Sequence, residues 1–273
     1  RLPDLPGYQH QESDFVDFKT TPALHKMLSR TGPALAVGDL NGDGLDDLAV
    51  GASYRGSAGA LFFGKKDGGF TRTAWMSNAP MEVGDILPFD PDRDGDLDLL
   101  VVGGGNERPL TAAEAYAPQL YRNDGPRGYG RGRLTAEPFV SNLAVSSQCV
   151  RALDYDRDGD LDVLIAGRQI PGKYPLPARS YLLRNDGSRF TDVTAEVAPG
   201  LANPGLVCDA LPLDVDGDRD DDLVLVGEWM PVTVFRNEKG IFTSQFSSGT
   251  PPVLNSQGWY TCLAAGDFDH DGD

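Results

Sequence analysis

Five short stretches of this 273-residue chain carry oxygen donors at fixed spacing. The first runs Asp39-Leu-Asn-Gly-Asp-Gly-Leu-Asp-Asp47, with Asp39, Asn41, Asp43 and Asp47 at positions 1, 3, 5 and 9 and Gly44 at position 6. The second places Asp90, Asp92, Asp94 and Asp98 at those positions, the third Asp154, Asp156, Asp158 and Asp162, and the fourth Asp214, Asp216, Asp218 and Asp222. A fifth begins at Asp267, Asp269 and Asp271, and the chain ends inside it at Asp273. Alternating carboxylates converge on one point when a glycine lets the backbone turn sharply, so each stretch reads as a loop for a hard cation. Position 7 (Leu45, Asp96, Asp160 and Asp220) is expected to supply a backbone carbonyl.

The complete loops offer no His or Cys, which argues against zinc and copper. A carboxylate-dense flexible loop favours calcium over magnesium, which demands rigid octahedral geometry. The expectation is three to five Ca2+ sites. An EF-hand needs a bidentate Glu at position 12, yet Val50, Val101, Ile165 and Leu225 stand there, so the ninth residue must close each site. In the fourth loop Arg219 replaces the position-6 glycine, and a side chain at positive φ is disfavoured. The fourth site is therefore expected to be the weakest of the complete four. The fifth lacks its ninth position. A single copy could be only an Asp/Gly turn braced by side-chain hydrogen bonds. Several copies of such mutually repelling carboxylates make that reading poor.

The elements that must hold these loops follow from the apolar runs around them. A short apolar segment precedes each one: 34–37, 86–89, 150–153, 210–213 and 262–265. A β-branched or leucine run closed by glycine follows each complete loop: 48–51, 99–103, 163–167 and 223–227. Runs of this length with glycine punctuation are strands, so each loop caps a hairpin. Third strands are expected at 60–63, 119–122, 180–184 and 232–236. Tight turns with hairpin signals then lead to fourth strands starting at Phe70, Phe190 and Phe242. The second unit carries an Arg/Gly insert (126–133) in its last turn, and further inserts run over 104–118 and 169–178. Successive first aspartates lie 51, 64, 60 and 53 residues apart. Four short strands per unit at that period describe an all-β protein, a β-propeller of four-stranded blades. The blades are expected at about 34–80, 83–141, 147–200 and 206–250, with a partial fifth at 257–273. Residues 1–33 form a leader, with a strand at 14–19 and a short helix opened by Thr21-Pro22.

Net charge is −17, which argues against nucleic acid or an anionic membrane as partner. Five divalent cations would offset about ten of those charges. No apolar run reaches membrane-spanning length, so no direct membrane insertion is expected. Cys149, Cys208 and Cys262 are odd in number and a repeat apart, and are expected to be free and buried. No signal peptide opens the chain; because it ends within a motif, it is expected to be part of a longer protein.

The stretch from Val37 to Gly68 resembles an FG-GAP repeat, the calcium-loop blade of integrin α-chain propellers. The stretches 181–201 and 227–242 resemble the related VCBS repeats, found in bacterial surface and secreted proteins similar to cartilage acidic protein. The resemblance covers roughly 33–273 and implies a seven-bladed parent. The function expected is a non-enzymatic, extracellular calcium-stabilised module. It would bind a protein or glycan ligand at its propeller loops, with Trp229, Trp259 and Tyr260 as a candidate sugar platform or as blade packing. The alternative is the propeller of a calcium-dependent polysaccharide lyase or phospholipase. That alternative needs a base or nucleophile outside the loops. The histidines (His10, His25, His270) are few, and no G-x-S-x-G motif is present.

Overall fold

A computed structural model describes residues 7–123, 134–187, 189–244 and 257–266. Four antiparallel sheets follow one another along the chain, each of four strands in sequence order. The first blade comprises β1 (Leu35–Gly38), β2 (Asp47–Val50), β3 (Gly59–Gly64) and β4 (Phe70–Trp75). The second comprises β5 (Glu82–Phe89), β6 (Asp98–Gly104), β7 (Gln119–Arg122) and β8 (Thr135–Pro138). The third comprises β9 (Ser147–Leu153), β10 (Asp162–Gly167), β11 (Tyr181–Asn185) and β12 (Phe190–Asp192). The fourth comprises β13 (Leu206–Leu213), β14 (Asp222–Met230), β15 (Thr233–Glu238) and β16 (Ile241–Ser244). A two-residue strand, β17 (Gly258–Trp259), pairs with β14 rather than opening a sheet of its own.

The strands fall where the apolar runs place them, because the second strand of each blade is buried on both faces. Every residue of β6 and of β10 is buried. That explains continuous runs such as Leu99-Leu-Val-Val102 in place of polar alternation. The core lies between blades. Trp75 and Leu61 of the first pack with Ile86, Leu99 and Tyr121 of the second. Leu100 and Val102 meet Val150, Val163 and Ile165, and Leu164 and Leu182 meet Val207, Leu225 and Phe235. The inner strands β1, β5, β9 and β13 touch in that order. The bulges in β5 and β13 turn Asp85 onto β9, where it accepts the Val150 N–H at 3.0 Å, and Asp209 onto the irregular segment after β17, where it accepts the Leu263 N–H at 2.8 Å.

The leader departs from expectation. It forms two 3-10 turns, Asp17–Lys19 and Leu28–Arg30, and no strand or α-helix among the described residues. Its polar groups are drawn instead onto the blade loops opposite the acidic ones. Ser57 N–H donates to the Gln11 carbonyl at 2.9 Å, and Asn106 Nδ2 donates to Thr21 Oγ1 at 3.0 Å. Thr21 therefore serves the second blade rather than a helix N-terminus. The expected strand at 262–265 is also absent; 260–266 is irregular. Cys149 and Cys208 are free and buried, but Cys262 on that irregular segment is exposed. The Arg/Gly insert 126–133 lies outside the described residues.

Candidate metal centre

Each acidic loop is the tip of the hairpin that opens a blade. The residue before position 1 pairs with position 9: Gly38 with Asp47, Phe89 with Asp98, Leu153 with Asp162, and Leu213 with Asp222. All four loops wrap in the same way. The position-1 carboxylate accepts the position-6 N–H, at 2.7 Å for Asp39–Gly44, 3.0 Å for Asp90–Gly95 and Asp154–Gly159, and 2.8 Å for Asp214–Arg219. The position-5 carboxylate accepts the position-7 N–H, from Asp43–Leu45 through Asp218–Asp220, at 2.8–3.0 Å.

The turn needs positive φ at two places. Position 6 has φ of 81°, 91° and 87° at Gly44, Gly95 and Gly159, and 75° at Arg219. Position 4 has 72° and 80° at Gly42 and Gly217, but 58° and 61° at Arg93 and Arg157. The second, third and fourth loops thus each hold one arginine in the left-handed region, only at different places. Strain at Arg219 is matched by strain at Arg93 and Arg157, about 1–2 kcal/mol each, and gives no reason to rank the fourth site last.

The carboxylates converge. Oxygens of Asp90, Asp92 and Asp94 lie within 4.8 Å of one another, as do those of Asp154, Asp156 and Asp162, and of Asp214, Asp216 and Asp218. In the first loop Asn41 stands at position 3, its Oδ1 accepting the Asp43 N–H at 2.9 Å. Asp90 Oδ1 and Asp154 Oδ1 are buried within their loops and have no hydrogen-bond partner among the described residues. An orphaned carboxylate oxygen amid an all-oxygen donor set fits a hard divalent cation. In the second and fourth loops part of the charge is met internally. Arg122 reaches Asp92 at 2.6 Å and Arg236 reaches Asp216 at 2.9 Å. Among the described residues the third loop has no such pair at Asp156, because Arg184 turns to Asp186.

Position 9 is the buried base of each loop. Asp47, Asp98, Asp162 and Asp222 are at most 2% exposed. Asp47, Asp162 and Asp222 take backbone N–H groups from both sides, whereas Asp98 takes the Asn123 N–H on one side and the Arg122 guanidinium on the other. Asp162 Oδ2 accepts from Tyr155 at position 2, and Oδ1 accepts from Asn185 after the third strand. Asp47 accepts from Leu40 and Gly64, and Asp222 from Val215 and Asn237. Burial raises all four carboxyls, Asp98 to about 6 and Asp162 to about 7, against these lowering hydrogen bonds. A cation beside them would restore the charged form.

Sequence reading missed the asparagines. Asn123, Asn185 and Asn237 are buried, and each follows an arginine at the end of its third strand. Their signal was the repeated Arg-Asn pair, read only as the start of a turn. Asp267, Asp269, Asp271 and His270 lie outside the described residues. His10 packs beside Tyr8 and Glu12, and His25 lies against Trp259. Trp229 and Trp259 are 57% and 44% exposed and meet edge to face, 4.9 Å between centroids. Half-buried Tyr260 donates its N–H to the Gly227 carbonyl at 3.2 Å. Among the described residues no helix is long and apolar enough to cross a membrane.

Four-stranded blades packed side by side, each opened by an acidic hairpin tip, define a β-propeller-type protein. The chain belongs to the FG-GAP repeat family: the FG-GAP-like repeat matches residues 90–165 and 214–273, and the FG-GAP repeat matches 31–63. It is similar to phosphatidylinositol-glycan-specific phospholipase D of Homo sapiens, 31% identical over 129 residues covering 38% of this chain. The Rattus norvegicus enzyme is 36% identical over 116 residues, covering 35% of this chain. The matches span only 15% and 13% of those relatives' lengths. Among solved structures, an Agrocybe aegerita lectin that recognises non-reducing terminal N-acetylglucosamine aligns with TM-score 0.51 at 15% identity, covering 84% of this chain and 55% of the lectin. At that identity the likeness speaks to the fold alone.

Proposed function

We propose that this chain is a calcium-stabilised, non-enzymatic propeller module of an extracellular or cell-surface protein, and that it engages a protein or glycan through its loops. The observation that carries the calcium reading is the orphaned, buried Oδ1 of Asp90 and Asp154 inside repeated all-oxygen loops. Calcium would be structural. The loops cap hairpins rather than joining helices, so filling them tightens a blade and opens no groove. An ion that binds only the folded state stabilises it by mass action, by about 2.7 kcal/mol per site at a hundredfold excess over Kd. An extracellular setting follows because weak calcium sites fill only where calcium is millimolar. Calorimetric titration, with melting in calcium and in chelator, tests this reading. Three to five sites and a large chelator-induced fall in Tm are expected. Absence of heat with an unchanged melt would overturn it.

The likeness to a phospholipase D favours a second reading, that the module belongs to an enzyme acting on phosphatidylinositol-glycan or polysaccharide. Incubation with a glycan-anchored protein and with uronate polysaccharide distinguishes the two. Turnover abolished by a single carboxylate substitution outside the loops would establish the enzymatic reading.

A further inference from the structure

The loops are joined to one another. Asn185 Nδ2 donates to the Pro91 carbonyl, position 2 of the second loop, at 2.9 Å, and to Leu161 of its own loop at 3.2 Å. Its backbone N–H holds position 9, Asp162, at 2.8 Å. Asn123 makes the same bridge from Leu40 of the first loop to Leu97 and Asp98 of the second. Asn237 makes it from Tyr155 of the third loop to Asp221 and Asp222 of the fourth. One asparagine therefore fixes the entry of one loop and the closing carboxylate of the next. All three are at most 3% exposed, where an unmade hydrogen bond costs about 1–3 kcal/mol.

A second link runs across the rim. Arg93, position 4 of the second loop, lies 2.9 Å from Asp160, position 7 of the third. Arg157, position 4 of the third, lies 2.6 Å from Asp220, position 7 of the fourth. Both arginines sit at the strained positive-φ corner of their own loop, so the shape of that corner decides where the guanidinium meets the neighbour.

We propose that Asn123, Asn185 and Asn237, aided by Arg93 and Arg157, are positioning residues that couple cation binding between adjacent blades. The proposal rests on the calcium reading above. Ordering one loop fixes its position-2 peptide and position-4 guanidinium. The next loop then begins with its position-9 carboxylate and position-7 residue already held, and loses less conformational freedom when it is filled. By reciprocity, emptying a loop weakens its neighbours.

Amide NMR of the whole chain during calcium titration tests this loop by loop, with Gly95 and Gly159 reporting the second and third. Asp94→Ala disables the second loop and is expected to move the Gly159 midpoint to higher calcium by about fivefold, within the usual range of coupling. In an Asn185→Ala background the same substitution should leave the Gly159 midpoint unmoved. Should Asn185→Ala fail to fold, Arg93→Gln, altering a half-exposed side chain, is expected to shift the Gly159 midpoint upward with Asp94 intact. A Gly159 midpoint unaffected by Asp94→Ala, with both glycines responding in the parent chain, overturns the coupling and leaves the calcium reading standing. No response of either glycine at millimolar calcium overturns both.

Discussion

Arg122 Nη1 stands 3.1 Å from Asp98 Oδ2, the oxygen that in the other three loops accepts the position-2 N–H. Position 2 of the second loop is Pro91, which has no N–H to give. The guanidinium fills that vacancy and also binds Asp92 and Glu137, at 2.6 and 3.0 Å. Arg122→Met should therefore destabilise the metal-free protein by about 2–3 kcal/mol, the scale for stranding a buried charged acceptor. Arg236→Met should do less, because Val215 N–H already serves Asp222 at 2.9 Å. Urea unfolding of both variants in chelator checks the order; equal losses would refute it.

The strands were legible because a run buried on both faces leaves an unmistakable apolar block, and the loops because cation ligands need fixed offsets. The leader was not. Asp14-Phe-Val-Asp-Phe-Lys19 has strand-like composition, but Asp17 accepts both the Ser29 N–H at 3.2 Å and the Ser29 hydroxyl at 2.5 Å. Long-range polar contacts of that kind fold the segment into turns, and local propensity carries no trace of them. Asn185 was hidden for a similar reason. Its partner Pro91 is 94 residues away, a distance no motif spans. Backbone strain at Arg219 does not set the fourth loop apart from the second and third, because position 4 also demands positive φ, a requirement masked by the arginines standing there.

Glu82 and Glu107 predict a pH dependence unrelated to the loops. Burial pushes Glu82 up to about 8 and Glu107 to about 7, and the carboxylates of Glu12 and Asp17 add to both shifts. Both groups also face one another, and Glu82 accepts the Tyr54 N–H at 2.8 Å. Their folded pKa values lie above the unfolded value of 4.5, so the folded state holds protons that the unfolded state releases. Between pH 4.5 and about 8 stability should therefore fall as pH rises, by at most about 1.4 kcal/mol per pH unit for each acid. Glu82→Gln should flatten that slope and raise stability at pH 8. Denaturation of parent and Glu82→Gln side by side from pH 5 to 8 measures it separately from Asp98 and Asp162, which burial raises into the same window; equal slopes in the two proteins would contradict the expectation.

Arg219 gives a direct test of loop strain. It sits at φ 75° where three loops have glycine, and its N–H bond to Asp214 survives any side-chain change. Arg219→Gly should stabilise the protein by about 1 kcal/mol, the left-handed penalty less the added freedom of the unfolded chain. The calcium affinity of the fourth loop should change little, since the turn is already formed. A large gain in that affinity would restore the view that Arg219 compromises the site.

Trp229 holds the only left-handed φ at a tryptophan among the described residues, 58°, and its indole is 57% exposed. Such a conformation costs about 1–3 kcal/mol, and something must hold the indole there. Its Nε1–H donates to the Tyr174 hydroxyl at 2.6 Å, and its ring meets Trp259. With both partners at the surface, these contacts roughly offset the strain and leave an aromatic face presented to solvent. Trp229→Gly relieves the strain and deletes the face together, so Tm should move by no more than about 3 °C. The same variant should lose binding that the parent shows on an array of neutral and acidic oligosaccharides in millimolar calcium. A fall in Tm well beyond that range, with sugar binding intact, would make Trp229 a packing residue and remove the platform from the proposed function.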